Sequence, residues 1–223
     1  DGYMVLLRSK REKKLVQAGL DVLRAPGTSF RELDADEARK IEPALSTDTA
    51  LAGAIHLPDD EVANCRQIAL LLKWEAEALG AQFHFNCDLA PMNRSAPTSL
   101  SLAAGSEAHR FDAVVVCAGV DSAALLKPLG LRIPLAPVYG HSVSAQIREP
   151  LNAPRSAVMD ERYKVAISRL GLRVRVAGSA ELGGSGTKLN PASLQTLYKV
   201  LQDWFPVAVR LRSGVQQWKG GRL

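Results

Sequence analysis

The sequence predicts an α+β fold, an α/β part joined to an antiparallel sheet, and three observations predict it. The first is a strand–helix–strand order from Gly53 to Asn86, followed by the apolar run "FDAVVVCAGVDS" (Phe111–Ser122). A continuous apolar run reads as a strand buried on both faces, as in parallel sheets. The second is the alternation of polar and apolar residues in "LRIPLAPVYGHSVSAQI" and "YKVAISRLGLRVRVAGSAE", the pattern of antiparallel strands. The third is Asn190-Pro191 ahead of "ASLQTLYKVLQDWF", an N-cap followed by proline at the first helical position.

The elements follow in order. "GYMVLLR" reads as a strand. "KREKKLVQAGLDVL" (Lys10–Leu23) places Leu15, Val16, Leu20 and Leu23 at helical spacing, with its basic residues on the solvated face. "SFRELD" is a short strand. Asp34 caps the next helix, with Glu37 three residues on, and the helix stops before Pro43. "LAGAIHLPDD" is a strand ending in a turn. The longest helix covers about residues 63–79, with Ile68, Leu71, Leu72, Ala76 and Leu79 as its buried stripe and Gly80 at the C-cap. "AQFHFN" alternates as a strand. "LSLAA", a "GSE" turn and "HRFDAVVVCA" read as a hairpin feeding the Phe111 strand. "DSAALLKPLG" is a short helix, and Leu170-Gly171 turns between two strands.

Composition sets the class. The chain has 223 residues, 47% hydrophobic and 23% charged, which suits a globular fold. No apolar run approaches the roughly 18 residues of a membrane span. At the start, basic residues follow the apolar ones, the reverse of a signal peptide. Cys65, Cys87 and Cys117 lie 22 and 30 residues apart and the four histidines are scattered, so no zinc spacing emerges. The odd count and the apolar setting of Cys117 fit reduced, buried thiols in a cytoplasmic protein. The net charge of +5 gathers toward the two ends, and no aromatics interleave with it as a single-strand binder requires.

Motifs for chemistry are sparse. No G-x-G-x-x-G, Walker, G-x-S-x-G or H-E-x-x-H pattern occurs. Asp160, Glu161 and Glu181 read as solvated turn carboxylates. Three stretches stand out together: "GAIHLPDDEVANCRQIALLLKWEAEALGAQFHFN", "FDAVVVCAGVDSAALLKPLGLRIPLAPVYGHSV", and the series from "MDERYKVAISRLGLRVRVAGSAELGG" through "LNPASLQTLYKVLQDWFP" to "QQWKGGR". This series resembles the small subunit of bacterial FAD-dependent D-amino-acid dehydrogenases, within the D-amino-acid oxidase (DAO) family of flavoproteins.

The resemblance covers nearly the whole chain in order. It implies a D-amino-acid oxidase-like α+β fold, incomplete in this chain, with residues 1–52 a substrate-domain part and 53–130 a partial FAD-binding part. Residues 131–217 would be the substrate-binding sheet with its helix, and 218–223 the return toward the FAD domain. On this reading the chain is an internal segment of the family fold, starting after the phosphate-binding glycines, with Leu223 where the family has proline. It implies FAD as cofactor, and oxidation of a D-amino acid to an imino acid that hydrolyses to a 2-oxo acid and ammonia. The electrons would pass to a quinone or carrier, in a cytoplasmic protein able to associate peripherally with the inner membrane.

Residue by residue, Ala118 and Gly119 match the Ala-Gly beneath the cofactor, and Leu89 the position near the adenine. Arg222 matches the arginine of W-x-G-x-R that clamps the substrate carboxylate, and Tyr163 a tyrosine that hydrogen-bonds the same group. Tyr139 and His141 match the sheet that faces the flavin, where the family usually has a basic residue at position 139. A related flavin oxidase acting on glycine or sarcosine shares these elements and remains an alternative, as does a non-enzymatic fragment that binds no flavin.

Overall fold

The computed structural model describes residues 2–101, 107–183, 186 and 188–222. The "GSE" turn and Leu223 therefore lie outside the described residues, in whole or in part. Contacts divide the chain into two units, one of residues 1–64 and 139–220, the other of residues 65–138 and 221–223.

The first unit is built on a mixed sheet. Its strands are β1 (Tyr3–Leu7), β2 (Arg31–Leu33), β3 (Gly53–Leu57), β6 (Val138–Gln146), β7 (Ala157–Asp160), β8 (Val165–Leu170), β9 (Arg173–Leu182) and β10 (Gln216–Arg222), of which Val138, Gly221 and Arg222 group with the second unit. Their order across the sheet is β10-β6-β9-β8-β7-β1-β3-β2. β1 runs antiparallel to β3, with Tyr3 opposite Leu57, and parallel to β7, with Leu6 opposite Asp160. β8 and β9 form the expected hairpin, with Ala166 opposite Ala177. Residues 53–64, assigned from the sequence to the FAD-binding part, group with this unit because β3 is hydrogen-bonded between β1 and β2.

Helices α2 (Gln17–Arg24), α3 (Ala35–Ile41) and α6 (Pro191–Trp204) pack on this sheet, while α1 (Lys10–Leu15) buries none of its residues. Leu6 and Leu7 are both fully buried, so β1 is covered on both faces, which explains the weak alternation of its sequence. Leu20 and Ile55 close over Leu7 on one face; Leu197, Val200, Leu201 and Trp204 of α6 join Leu6 in the larger cluster on the other. The expected helix of Lys10–Leu23 is split at Val16, which leaves Leu15 in solvent. Local signals are obeyed elsewhere. Asp34 accepts from the backbone N–H groups of Asp36 and Glu37 while Glu37 caps in return, and Asn190 accepts from Ala192 and Ser193.

One polar knot lies inside the larger cluster. Asp160, expected in a solvated turn, is fully buried. Its Oδ2 accepts from Arg8 Nε and Trp204 Nε1, both at 2.6 Å, and its Oδ1 accepts from the Tyr163 backbone N–H at 3.0 Å. The Arg8 guanidinium also lies 2.8 Å from Asp203 Oδ2 and sits over the rings of Trp204 and Tyr163. A buried charge persists only when paired and hydrogen-bonded, and Asp160 meets both conditions.

The second unit holds α4 (Cys65–Ala78), the short pair β4 (Ser99–Leu100) and β5 (His109–Arg110), and α5 (Ser122–Leu126) flanked by single 3-10 turns. Here the sequence misleads. α4 forms where expected, but none of its residues is buried, and Leu72 is 65% exposed. Ala81–Asn86 and Asp112–Ala118 have no strand ladder, and Val115 is 83% exposed. Leu131–Pro137 also stays outside β6. All three cysteines are free and exposed, contrary to the expected buried thiols. Apolar patterning states what an element would bury; it cannot supply the neighbour that buries it.

Candidate active site

Three adjacent strands assemble a polar group on one part of the sheet. Tyr139 and His141 are two apart on β6, and Ser179 and Glu181 two apart on β9, so each pair shares a face. Lys219 comes from β10, which lies beside β6.

His141 is 2% exposed. The Asn190 backbone N–H donates to its Nε2 at 3.1 Å, and its Nδ1 lies 2.9 Å from Ser179 Oγ. A backbone N–H can only donate, so Nε2 carries the lone pair and Nδ1 the proton, which it gives to Ser179. Burial first, and then the Lys219 charge, push the imidazole below its ordinary pKa, with Glu181 opposing. His141 is thus a neutral, oriented hydrogen-bonding group near pH 7.

Ser179 sits at φ +67°, a left-handed conformation that costs a non-glycine residue about 1–2 kcal/mol. Its neighbour Gly178 passes so close to β8 that a Cβ there would lie 2.9 Å from Lys164 O. Such strain persists only where the surroundings enforce it, and here the result is the hydroxyl set against His141.

Lys219 is almost wholly buried, its side chain 2% exposed. Its ammonium donates to Glu181 Oε1 at 3.1 Å and to Lys188 O at 3.0 Å, and stands 4.6 Å from the centre of the Tyr139 ring. The Lys219 hydrogen bond is the main reason the Glu181 carboxyl lies below its usual range. Glu181, read as a solvated turn carboxylate, is instead half-buried in this group, with Oε2 3.7 Å from His141 Nε2. The charges of Lys219 and Glu181 cancel, so the group offers a shaped, polar, near-neutral wall rather than a free acid or base. Sequence reading noticed Tyr139 and His141 but gave neither a partner; the alternation of 179 with 181 was the available signal, and their opposition to β6 was not.

The expected site residues fall in several places. Tyr163 is half-buried against the larger core, its ring beside Arg8, Arg162 and Lys199 at 5.2, 5.9 and 5.4 Å. Arg222 is the last residue of β10 and is exposed. In the second unit, Gly119 opens a 3-10 turn at φ +56° with nothing within 4 Å of where a Cβ would stand. Ala118 precedes it, and Leu89 is exposed. The open backbone at Ala118–Gly119 fits close approach of a flat ring system, while the glycine loop that cradles a pyrophosphate is absent from the sequence. Among the described residues, no three His, Cys, Asp or Glu side chains gather as metal ligands, and no helix is long and apolar enough to cross a membrane.

Comparison sets the class of this α+β chain, that of the FAD dependent oxidoreductases. All of residues 1–223 match the DAO family of FAD dependent oxidoreductases, and the chain belongs to that family. It is 37% identical over 222 residues, 99% of its length, to D-amino acid dehydrogenases from two strains of Cereibacter sphaeroides, and covers 51% of each. The chain thus spans about half the length of these curated relatives. Among solved structures, it resembles glycine oxidase from Geobacillus kaustophilus (TM-score 0.85, 22% identity, 100% of this chain and 58% of that one). It also resembles L-proline dehydrogenase from P. horikoshii (TM-score 0.81, 16% identity, 99% and 59%). These two likenesses establish the DAO-type fold.

The buried imidazoles set a pH dependence. His56, like His141, is held below its ordinary pKa, by burial and then by the charge of Arg31. As pH falls through the unfolded value of about 6.5, the unfolded chain takes up protons that the folded chain refuses. Their contribution is therefore full above about pH 6.5 and is lost toward the folded values. Glu42, whose carboxyl is raised by burial, has the opposite slope, its contribution fading as pH rises above about 4.5. Melting temperatures at about pH 7.5 and about pH 5.5 are expected to differ less in His141→Gln than in the parent; an equal difference would contradict the neutral assignment.

Proposed function

We propose that this chain serves FAD-dependent oxidation of D-amino acids, in which the substrate α-carbon loses hydride and the imino acid hydrolyses to a 2-oxo acid and ammonia. The observation that carries the reading is the 37% identity, along 99% of the chain, to D-amino acid dehydrogenases. A near-neutral wall of Tyr139, His141, Glu181 and Lys219 supports it, because such a wall orients and excludes water without doing acid–base work. Bound FAD would supply the electron acceptor, which leaves binding and orientation to the protein.

The first unit carries the substrate-binding sheet and the second contributes to the FAD-binding part. Ala118 and Gly119 would lie against the cofactor, with Leu89 toward its adenine. Arg222 and Tyr163 are each assigned, independently, to the substrate carboxylate, since a guanidinium offers it two parallel donors and a phenol one. The electrons pass to a quinone or a carrier protein, the chain working on the cytoplasmic side in peripheral contact with the membrane.

The test is reduction of an electron-accepting dye by the purified protein. D-alanine is expected to drive it, and L-alanine to fail. Turnover with glycine or sarcosine in preference, with oxygen consumed instead of dye, would replace this reading by an amine oxidase.

A further inference from the structure

At one end of the sheet in the first unit, Arg148, Arg210 and Arg212 line a groove of about 620 Å³ together with Val209, Leu211 and Ser213. The backbone joins the two segments that carry them. Arg148 N donates to Ala208 O at 2.8 Å, and Arg210 N to Gln146 O at 2.9 Å. Among the described residues, none of the three guanidiniums is in an ion pair. The adjoining acid, Glu149, turns its carboxylate to cap the Leu151 backbone N–H.

Apolar side chains stand in water around this groove. Leu151 is 85% exposed and Leu172 78% exposed, with Val207 and Leu211 also exposed. The tip that carries Leu172 belongs to the same surface, because Ile147 N donates to Leu172 O at 3.0 Å and Arg169 Nη1 to Pro150 O at 3.3 Å. Exposed leucines at loop tips beside unpaired arginines are poorly served by water alone.

We propose that this loop end docks on an anionic phospholipid surface, the three guanidiniums meeting headgroup phosphates while Leu151 and Leu172 enter the interfacial layer. Guanidinium pairs with phosphate oxygens through two parallel donors. Basic residues near an anionic leaflet add to one another, and shallow apolar insertion adds to both. A nucleic-acid strand would call for aromatic stacking residues, and the groove lining has none. The proposal deepens the membrane contact proposed above and rests on it for the identity of the surface; the patch itself rests on the geometry.

Co-sedimentation of the full chain with vesicles tests it, using phosphatidylcholine alone and phosphatidylcholine mixed with phosphatidylglycerol. The parent is expected to bind only the anionic vesicles, and less as salt rises. The triple variant Arg148→Gln, Arg210→Gln, Arg212→Gln should bind on the order of 100-fold more weakly. The pair Leu151→Ser, Leu172→Ser should bind about tenfold more weakly. Both variants should melt as the parent does, because the replaced side chains are exposed. A parent that ignores vesicles overturns the membrane contact and the surface together. Parent binding that both variants retain overturns this surface alone. Binding of duplex DNA through the same arginines, with vesicles ignored, overturns it in favour of nucleic acid.

Discussion

Asp160→Ala is expected to remove about 3–5 kcal/mol of stability, the range for breaking a buried ion pair from one side. The substitution leaves the Arg8 guanidinium, 11% exposed, without its closest carboxylate, and the Trp204 indole N–H without an acceptor inside the core. It also frees the Tyr163 backbone N–H that Asp160 fixes at the start of the turn into β8. Small domains hold about 5–15 kcal/mol in total, so such a loss should shift a urea midpoint far toward zero. Asp160→Asn keeps an acceptor for Trp204 and should lose less. A double change of Arg8→Met with Asp160→Leu should recover part of the loss, because it removes both charges at once. A midpoint for Asp160→Ala within experimental scatter of the parent would show that the knot is dispensable.

Arg222→Ala is expected to lower kcat/KM for D-alanine by about 30-fold to several thousand-fold, chiefly through KM. The estimate is the cost of removing one partner from a hydrogen-bonded charge pair, about 2–5 kcal/mol. Arg222→Lys should recover only part, since an ammonium cannot present two parallel donors. Tyr163→Phe is the separate test of the other assignment and should act more mildly, removing a single neutral donor. Unchanged kinetics in Arg222→Ala would remove the carboxylate clamp from the scheme.

The sequence carried the first unit well because its signals there are local and mutually consistent. The Asp34 capping box, the Asn190-Pro191 helix start and the alternation that pairs β8 with β9 all survive in the structure. The second unit was less legible for a physical reason. "FDAVVVCAG" has the composition of a strand covered on both faces, yet no described strand lies beside it and Val115 is in solvent. The stripe on α4 shows the same thing: a correct helix whose apolar face the sequence alone could not know to be uncovered.

The candidate site was only partly legible because its links are long-range. His141, Glu181 and Lys219 meet through three neighbouring strands, and a polar residue on a strand gives no sign of what lies on the next one. The Arg8–Asp160 pair spans 152 residues, so the polar run "MDERY" looked like a turn until β1 was found beside β7. Family resemblance is what assigned roles to Ala118, Gly119, Arg222 and Tyr163, where spacing was silent.

The measurement that bears hardest on the proposed function is the visible absorbance of the purified protein before and after anaerobic D-alanine, with FAD added where the preparation is pale. The proposed function predicts flavin bands that D-alanine bleaches and a second electron acceptor restores. A protein that retains no flavin on reconstitution, or whose bound flavin D-alanine leaves oxidised, would contradict it.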